Sequence, residues 1–163
     1  MIADSLAGKR LFVTGTTGFL GTNLLERLLR SVPDCELVLL VRAGRRSTVE
    51  QRLAREILKN DAFDRLRAEL GAEGFAEMTA RRITAVSGDV GRDGLGLDDT
   101  GRALFASCDI IIHSAATVSF DSPLDAAVEV NLMGPTRIAE LCHELGVTPH
   151  LVAVSTCYVA GNR

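Results

Sequence analysis

Three glycines spaced three residues apart, Gly15, Gly18 and Gly21, punctuate the run Leu11-Phe-Val-Thr-Gly-Thr16-Thr17-Gly-Phe19-Leu20-Gly21, where an apolar strand pattern gives way to a helical one. That arrangement builds a seat for two phosphates. A strand ending in a tight turn aims the unpaired N–H groups and the positive dipole end of the next helix at one point beyond the sheet. Gly15 permits the turn, Gly18 lets the backbone approach the phosphates, and Gly21 lets the helix lie close on the strand. Thr16, Thr17, Phe19 and Leu20 supply the rest of the loop. The spacing is Gly-x-x-Gly-x-x-Gly, a departure from the usual Gly-x-Gly-x-x-Gly of dinucleotide sites.

A second set of residues bears on which dinucleotide is bound. An acid about twenty residues past the glycines would hold a ribose 2′-hydroxyl, whereas an arginine there accommodates a 2′-phosphate. Here Arg42 closes the second apolar run and no acid follows it at once; Arg45 and Arg46 come next, and Arg52 lies one helical segment on. These guanidinium forks suit NADP(H), and one charged hydrogen bond is worth about 1.5–3 kcal/mol, or about 10- to 150-fold in preference. Solvated surface charge is the plainer reading of Arg45, Arg46 and Arg52. In Gly88-Asp89-Val90, Asp89 is placed to accept the adenine amino hydrogens while the Val90 N–H meets the ring nitrogen; a simple turn aspartate is the alternative. Ser114, Ala115 and Ala116 are small enough to let the backbone approach the nicotinamide ribose. His113 reads as a packed or hydrogen-bonded histidine rather than a catalyst.

The elements that must hold these residues alternate strand and helix. Residues 10–14 form the first strand, followed by a helix with Leu20, Leu24, Leu25 and Leu28 on its apolar face. Residues 36–41 form a nearly unbroken apolar strand, as expected of a parallel strand covered on both faces. A second helix, broken or not, spans about 48–70 with Val49, Leu53, Ile57 and Leu58 inward. Strands at 82–87, 109–113 and 150–154 follow, with 71–79 and 88–100 as connecting loops. Ser122-Pro123-Leu124-Asp125 has the composition of a helix start with Ser122 as N-cap, and a helix bearing Val130, Leu132, Ile138, Leu141 and Leu145 stops at Gly146. This order predicts an α/β fold, a Rossmann-type doubly wound parallel sheet of about five strands in the order 3-2-1-4-5, with ligand across the switch point between strands one and four.

The chain's 163 residues, 47% hydrophobic, suit one domain, residues 1–163. A net charge of −3 disfavours nucleic acid as a partner. Sixteen of the eighteen basic residues are arginine, a skew that either phosphate recognition or GC-rich coding would produce. Cys35, Cys108, Cys142 and Cys157 show no Cys-x-x-Cys spacing and read as small buried apolar residues; His113, His143 and His150 make no metal-ligand pairing with them. No apolar run reaches membrane-spanning length and the N-terminus has no signal-peptide pattern, so a cytoplasmic, reduced chain is expected.

In order along the chain stand Thr14-Gly-x-x-Gly-Phe-Leu-Gly21, Val41-Arg42, Gly88-Asp-Val90, His113-Ser-Ala-Ala-Thr-Val-Ser-Phe-Asp121, Val130-Asn-Leu-Met-Gly134 and Val154-Ser-Thr-Cys-Tyr-Val-Ala-Gly161. Together they resemble the extended short-chain dehydrogenase/reductases, and more narrowly the thioester-reducing branch: fatty acyl-CoA reductases and the terminal reductase domains of carboxylic acid reductases and peptide synthetases. The resemblance implies NADPH-dependent hydride transfer to an acyl-CoA or carrier-bound acyl thioester, giving aldehyde or alcohol. It also implies that Thr156, beside Ser155, holds the carbonyl and that Asn131 supports the proton relay. The family's Tyr-x-x-x-Lys pair is not here: the single tyrosine is Tyr158, with Asn162 four residues on, and the lysines are Lys9 and Lys59. The expectation is therefore an NADP-binding portion without its substrate lobe, inactive alone and prone to self-association through an open sheet edge. A non-catalytic NADP-binding or redox-sensing module, and a fragment of an extended-type sugar-nucleotide epimerase or dehydratase, are the alternatives.

Overall fold

A computed structural model describes residues 2–44, 46–119 and 121–161. Arg45, Phe120 and Asn162, named above, lie outside the described residues. The elements run α1 (Ile2–Leu6), β1 (Arg10–Thr14), α2 (Phe19–Ser31), β2 (Glu36–Val41), α3 (Val49–Arg52), α4 (Asp64–Arg82), β3 (Ile83–Ser87), α5 (Asp99–Ala106), β4 (Ile110–His113), α6 (Leu124–Ala127), α7 (Met133–Leu145) and β5 (His150–Ala153). The five strands form one parallel sheet in the order β3-β2-β1-β4-β5, as the alternation of strands and helices predicts. Thr14 at the end of β1 registers with His113 at the end of β4, so the two strands finish level at the point where the strand order reverses.

Alternation along β1 feeds two cores. Leu11 and Val13 face Leu25, Leu28, Leu37, Leu39 and Phe63 on one side of the sheet. Phe12 faces Val38, Leu40, Phe105, Ile138 and Leu141 on the other. Phe12 and Phe105 meet edge to face with centroids 4.8 Å apart, which pins α5 to the sheet.

Several elements depart from the sequence reading. Leu20 is half exposed, because it occupies the first turn of α2 beside the glycine loop; the buried stripe is Gly21, Leu25, Leu28 and Leu29. The stretch 71–79 is helical, not a loop: Gly71 takes φ +70° and breaks the path, and α4 then resumes to Arg82. Arg82 consequently ends a helix and β3 starts at Ile83. Within 88–100 sits a short 3-10 turn, Asp93–Gly96, and α5 follows at once. The N-cap of α6 is Pro123 rather than Ser122, whose hydroxyl is 3.3 Å from that of Thr117. Cys35 and Cys108 are buried as expected, but Cys157 is exposed. No helix among the described residues is long and apolar enough to cross a membrane.

Candidate functional site

Beyond the ends of β1, β2, β3 and β4 lies a cleft of about 380 Å³. Gly15, Thr16, Thr17, Gly18, Arg42, Arg52, Asp89, Val90, Ser114, Ala115 and Ala116 line it. Residues from five separate stretches of sequence thus share one hollow, because a parallel sheet delivers every strand's C-terminal end to the same edge and α3 brings Arg52 beside it. Thr14, Leu40, Val41, Gly88, Thr117, Ala126 and Val130 complete the wall. Phe19, Leu20 and Gly21 belong to the first turn of α2 and do not line the cleft.

The glycine loop is built for close approach. Gly15 has φ +75°, and a Cβ there would stand 2.5 Å from the Ser114 carbonyl carbon and 2.6 Å from the Ala115 nitrogen. A Cβ on Gly21 would overlap the Gly15 carbonyl. Gly18 is different: a Cβ there meets only the Gly15 oxygen at 3.4 Å, so nothing within the protein demands glycine. Helix α2 starts without a side-chain cap and without an acid in its first turn. Its first backbone N–H to find a helical acceptor is that of Thr22, onto Gly18 at 3.0 Å, so the positive end stays uncompensated and open to an anion. Thr16 Oγ1 is buried without a hydrogen-bond partner among the described residues. An orphaned buried hydroxyl in a cleft wall costs about 1–3 kcal/mol. A phosphate oxygen is the kind of acceptor that would relieve it.

On the opposite wall, Thr14 ties β1 to the exit of β4. Ser114 Oγ donates to the Thr14 carbonyl at 2.8 Å, and the Ala115 N–H donates to Thr14 Oγ1 at 3.2 Å. The Thr14 hydroxyl also shares a 2.8 Å hydrogen bond with His113 Nδ1, in which the imidazole tautomer sets the donor. Burial holds the His113 pKa below its ordinary value. The unfolded chain accordingly takes up this proton first as pH falls, so stability is complete above about pH 6.5 and declines below it, through the folded-state pKa. Thermal midpoints between pH 7.5 and 5.5 should fall with decreasing pH in the native chain and stay flatter in His113→Asn; equal slopes would remove His113 as the cause.

Arg42, Arg52 and Asp89 stand together in another part of the wall. Asp89 Oδ1 accepts the Gly91 N–H at 2.9 Å, while Oδ2 lies 3.9 Å from the Arg42 guanidinium. Val90 N–H has no partner among the described residues. Arg52 precedes a π-helical turn, Leu53–Ile57, and is engaged: its Nε donates to Glu56 Oε1 at 2.8 Å, and its Nη1 donates to the Arg42 carbonyl. The hydrogen bond between Arg52 and Glu56 raises the Arg52 pKa and lowers that of Glu56. Arg46 does not line the cleft.

Asn131 and Thr156 lie outside the cleft wall. Asn131 sits in a second π-helical turn, Val128–Leu132, where its Oδ1 accepts the Thr117 N–H at 2.9 Å and its Nδ2 donates to the Thr117 carbonyl at 3.0 Å. Both ends of the amide therefore pin the segment leaving β4. Thr156 caps a 3-10 turn, Cys157–Ala160, accepting the Tyr158 N–H at 3.3 Å.

A family model described as "Male sterility protein" matches residues 13–163. Fatty acyl-CoA reductase 1 of Arabidopsis thaliana is 34% identical over 161 residues, 97% of this chain and 33% of that protein. The alcohol-forming fatty acyl-CoA reductase of Simmondsia chinensis is 32% identical over 168 residues, 99% of this chain and 33% of that protein. Among solved structures, the reductase domain of a non-ribosomal peptide synthetase from Mycobacterium tuberculosis superposes with a TM-score of 0.69 at 30% identity, over 99% of this chain and 37% of that one. The chain spans about a third of the length of the curated relatives it matches.

Proposed function

The chain belongs to the male sterility protein family of NAD-binding proteins, and from that footing we propose that it is the NADP(H)-binding portion of a reductase acting on fatty acyl-CoA or a carrier-bound acyl thioester. The observation that carries the reading is the junction of β1 and α2, where an uncapped helix end, an orphaned Thr16 hydroxyl, Gly15 and Gly18 meet at one cleft wall and Gly21 lets the helix lie close. The Gly15–Gly18 loop would take the pyrophosphate, Arg42 with Arg52 behind it the 2′-phosphate, Asp89 and Val90 the adenine, and Ser114–Ala116 the nicotinamide ribose. When bound, the reduced nicotinamide supplies the hydride. Thr156 would hold the acyl carbonyl. Asn131 would act from a distance, fixing the Thr117 backbone and with it the ribose-facing wall.

A neutral His113 fits this assignment, since an imidazolium behind Ser114 would repel the positive nicotinamide ring of the oxidised cofactor. Four free cysteines agree with a reducing, cytoplasmic setting. Exposed Leu151, Val152 and Val154, on and beside the edge strand β5, suit association with other protein surface.

Carbonyl polarisation by a tyrosine with a lowered pKa requires a nearby positive charge. The 163 residues contain no Tyr-x-x-x-Lys to supply it. Mixed with NADPH and a long-chain acyl-CoA, this chain is expected to release no thiol and to oxidise no cofactor above the protein-free rate. Measured turnover would overturn the division of labour proposed here.

A further inference from the structure

Next to the cofactor cleft, and sharing Arg42, Arg52, Gly88 and Asp89 with it, is a hollow of about 390 Å³ that also has Arg92 and Gly96 in its wall. Its charges are unequally matched. Arg52 is held by Glu56, and Arg42 stands 3.9 Å from Asp89. Arg92 has no acid partner among the described residues. With three guanidinium groups and one carboxylate in its walls, the hollow keeps a positive charge that Arg92 dominates.

The backbone fixes where that charge sits. Arg92 N–H donates to the Asp89 carbonyl and the Arg92 carbonyl accepts the Leu95 N–H, both at 3.0 Å. Gly94, Leu95 and Gly96 then turn through the left-handed region with φ of 57°, 57° and 60°. Leu95 bears that strain because its side chain is fully buried and its carbonyl accepts the Asp89 N–H at 2.8 Å. Glycine at 96 leaves room for the Arg92 stem, since a Cβ there would come within 3.2 Å of Arg92 Cδ. Arg92 is thus anchored to the residue that faces the adenine, and its stem lies along the turn.

We propose that Arg92 is a specificity-determining residue for the ribose 2′-phosphate, supplying the uncompensated cation that Arg52, occupied by Glu56 and the Arg42 carbonyl, does not. A phosphate monoester carries close to two negative charges at neutral pH, which matches a free guanidinium beside Arg42. The inference rests on the NADP(H) reading above.

Its test is a titration of the native chain and of Arg92→Gln with NADPH and with NADH, followed by cofactor fluorescence at low salt. The native chain should prefer NADPH. Arg92→Gln should weaken NADPH about ten-fold and leave NADH unchanged. Unchanged NADPH affinity in the variant, with the native preference intact, would overturn the role of Arg92 alone. Equal weakening of both cofactors would assign Arg92 to the adenine and overturn it too. A native chain without preference for NADPH would overturn the cofactor reading and this inference with it.

Discussion

Replacing Gly21 with alanine is expected to destabilise the chain by about 3 kcal/mol or more, lowering its thermal midpoint by roughly 6–12 °C. Inside a helix, alanine would ordinarily be favoured over glycine by about 1 kcal/mol. Here sterics win. The new Cβ would overlap the Gly15 carbonyl oxygen and lie 2.8 Å from the Gly15 carbonyl carbon and 2.9 Å from Thr16 Cα. All three are backbone atoms, so no side chain can swing aside; α2 would have to lift, uncovering Leu25, Leu28 and Leu29. Gly18→Ala is the matched comparison. Its Cβ has 3.4 Å of clearance and an ordinary φ of −85°, so the melt should barely move while NADPH affinity drops about ten-fold or more, because the methyl would occupy the mouth of the proposed phosphate seat. Parallel melting and titration of the two variants checks both halves. A Gly21→Ala chain as stable as the native one would refute the packing argument.

Arg82→Ala is expected to cost about 3–5 kcal/mol, a fall of about 6–20 °C in thermal midpoint. The Arg82 side chain is buried and donates to three carbonyls: Cys35 at 2.9 Å, Leu29 at 2.7 Å and Val32 at 2.7 Å. Leu29 lies in the last turn of α2 and Val32 is its C-cap, so one guanidinium serves a helix end and the approach to β2 together. Alanine would leave those carbonyls unpaired and open a cavity beside Cys35 and Val32, which are themselves buried. Arg82→Lys should recover only part of the loss, since a point charge cannot span three acceptors as the fork does. Chemical denaturation followed by circular dichroism measures this; a midpoint unchanged in Arg82→Ala would contradict it.

These two sites also mark what sequence reading reaches. Gly15, Gly18 and Gly21 are legible because the steric demand is local: strand, turn and helix are contiguous, and the apolar runs at β1, β2 and β4 announce parallel strands by composition alone. Strand order follows from alternation and the handedness of crossovers. Arg82 is illegible because its acceptors lie 47 to 53 residues away, and its basic character in sequence suggests surface. Gly71 suggests a loop because glycine breaks helices, yet a single residue at φ +70° lets the helical path bend and resume. Arg92 escapes notice since its position depends on the left-handed turn at Gly94–Gly96, which leaves no periodic signal. Asn131 is visible as a motif residue, but the grip of its amide on the Thr117 backbone depends on how the fold brings two residues 14 apart together.

Whether this chain seats NADP(H) on the β1–α2 junction, with arginines at its 2′-phosphate end, is decided by an equilibrium titration of the native chain with NADPH and NADH under identical buffer and salt. Saturable binding of NADPH is expected, with an affinity about 10- to 150-fold above that of NADH. Equal affinity, tighter NADH, or no binding of either cofactor would contradict it.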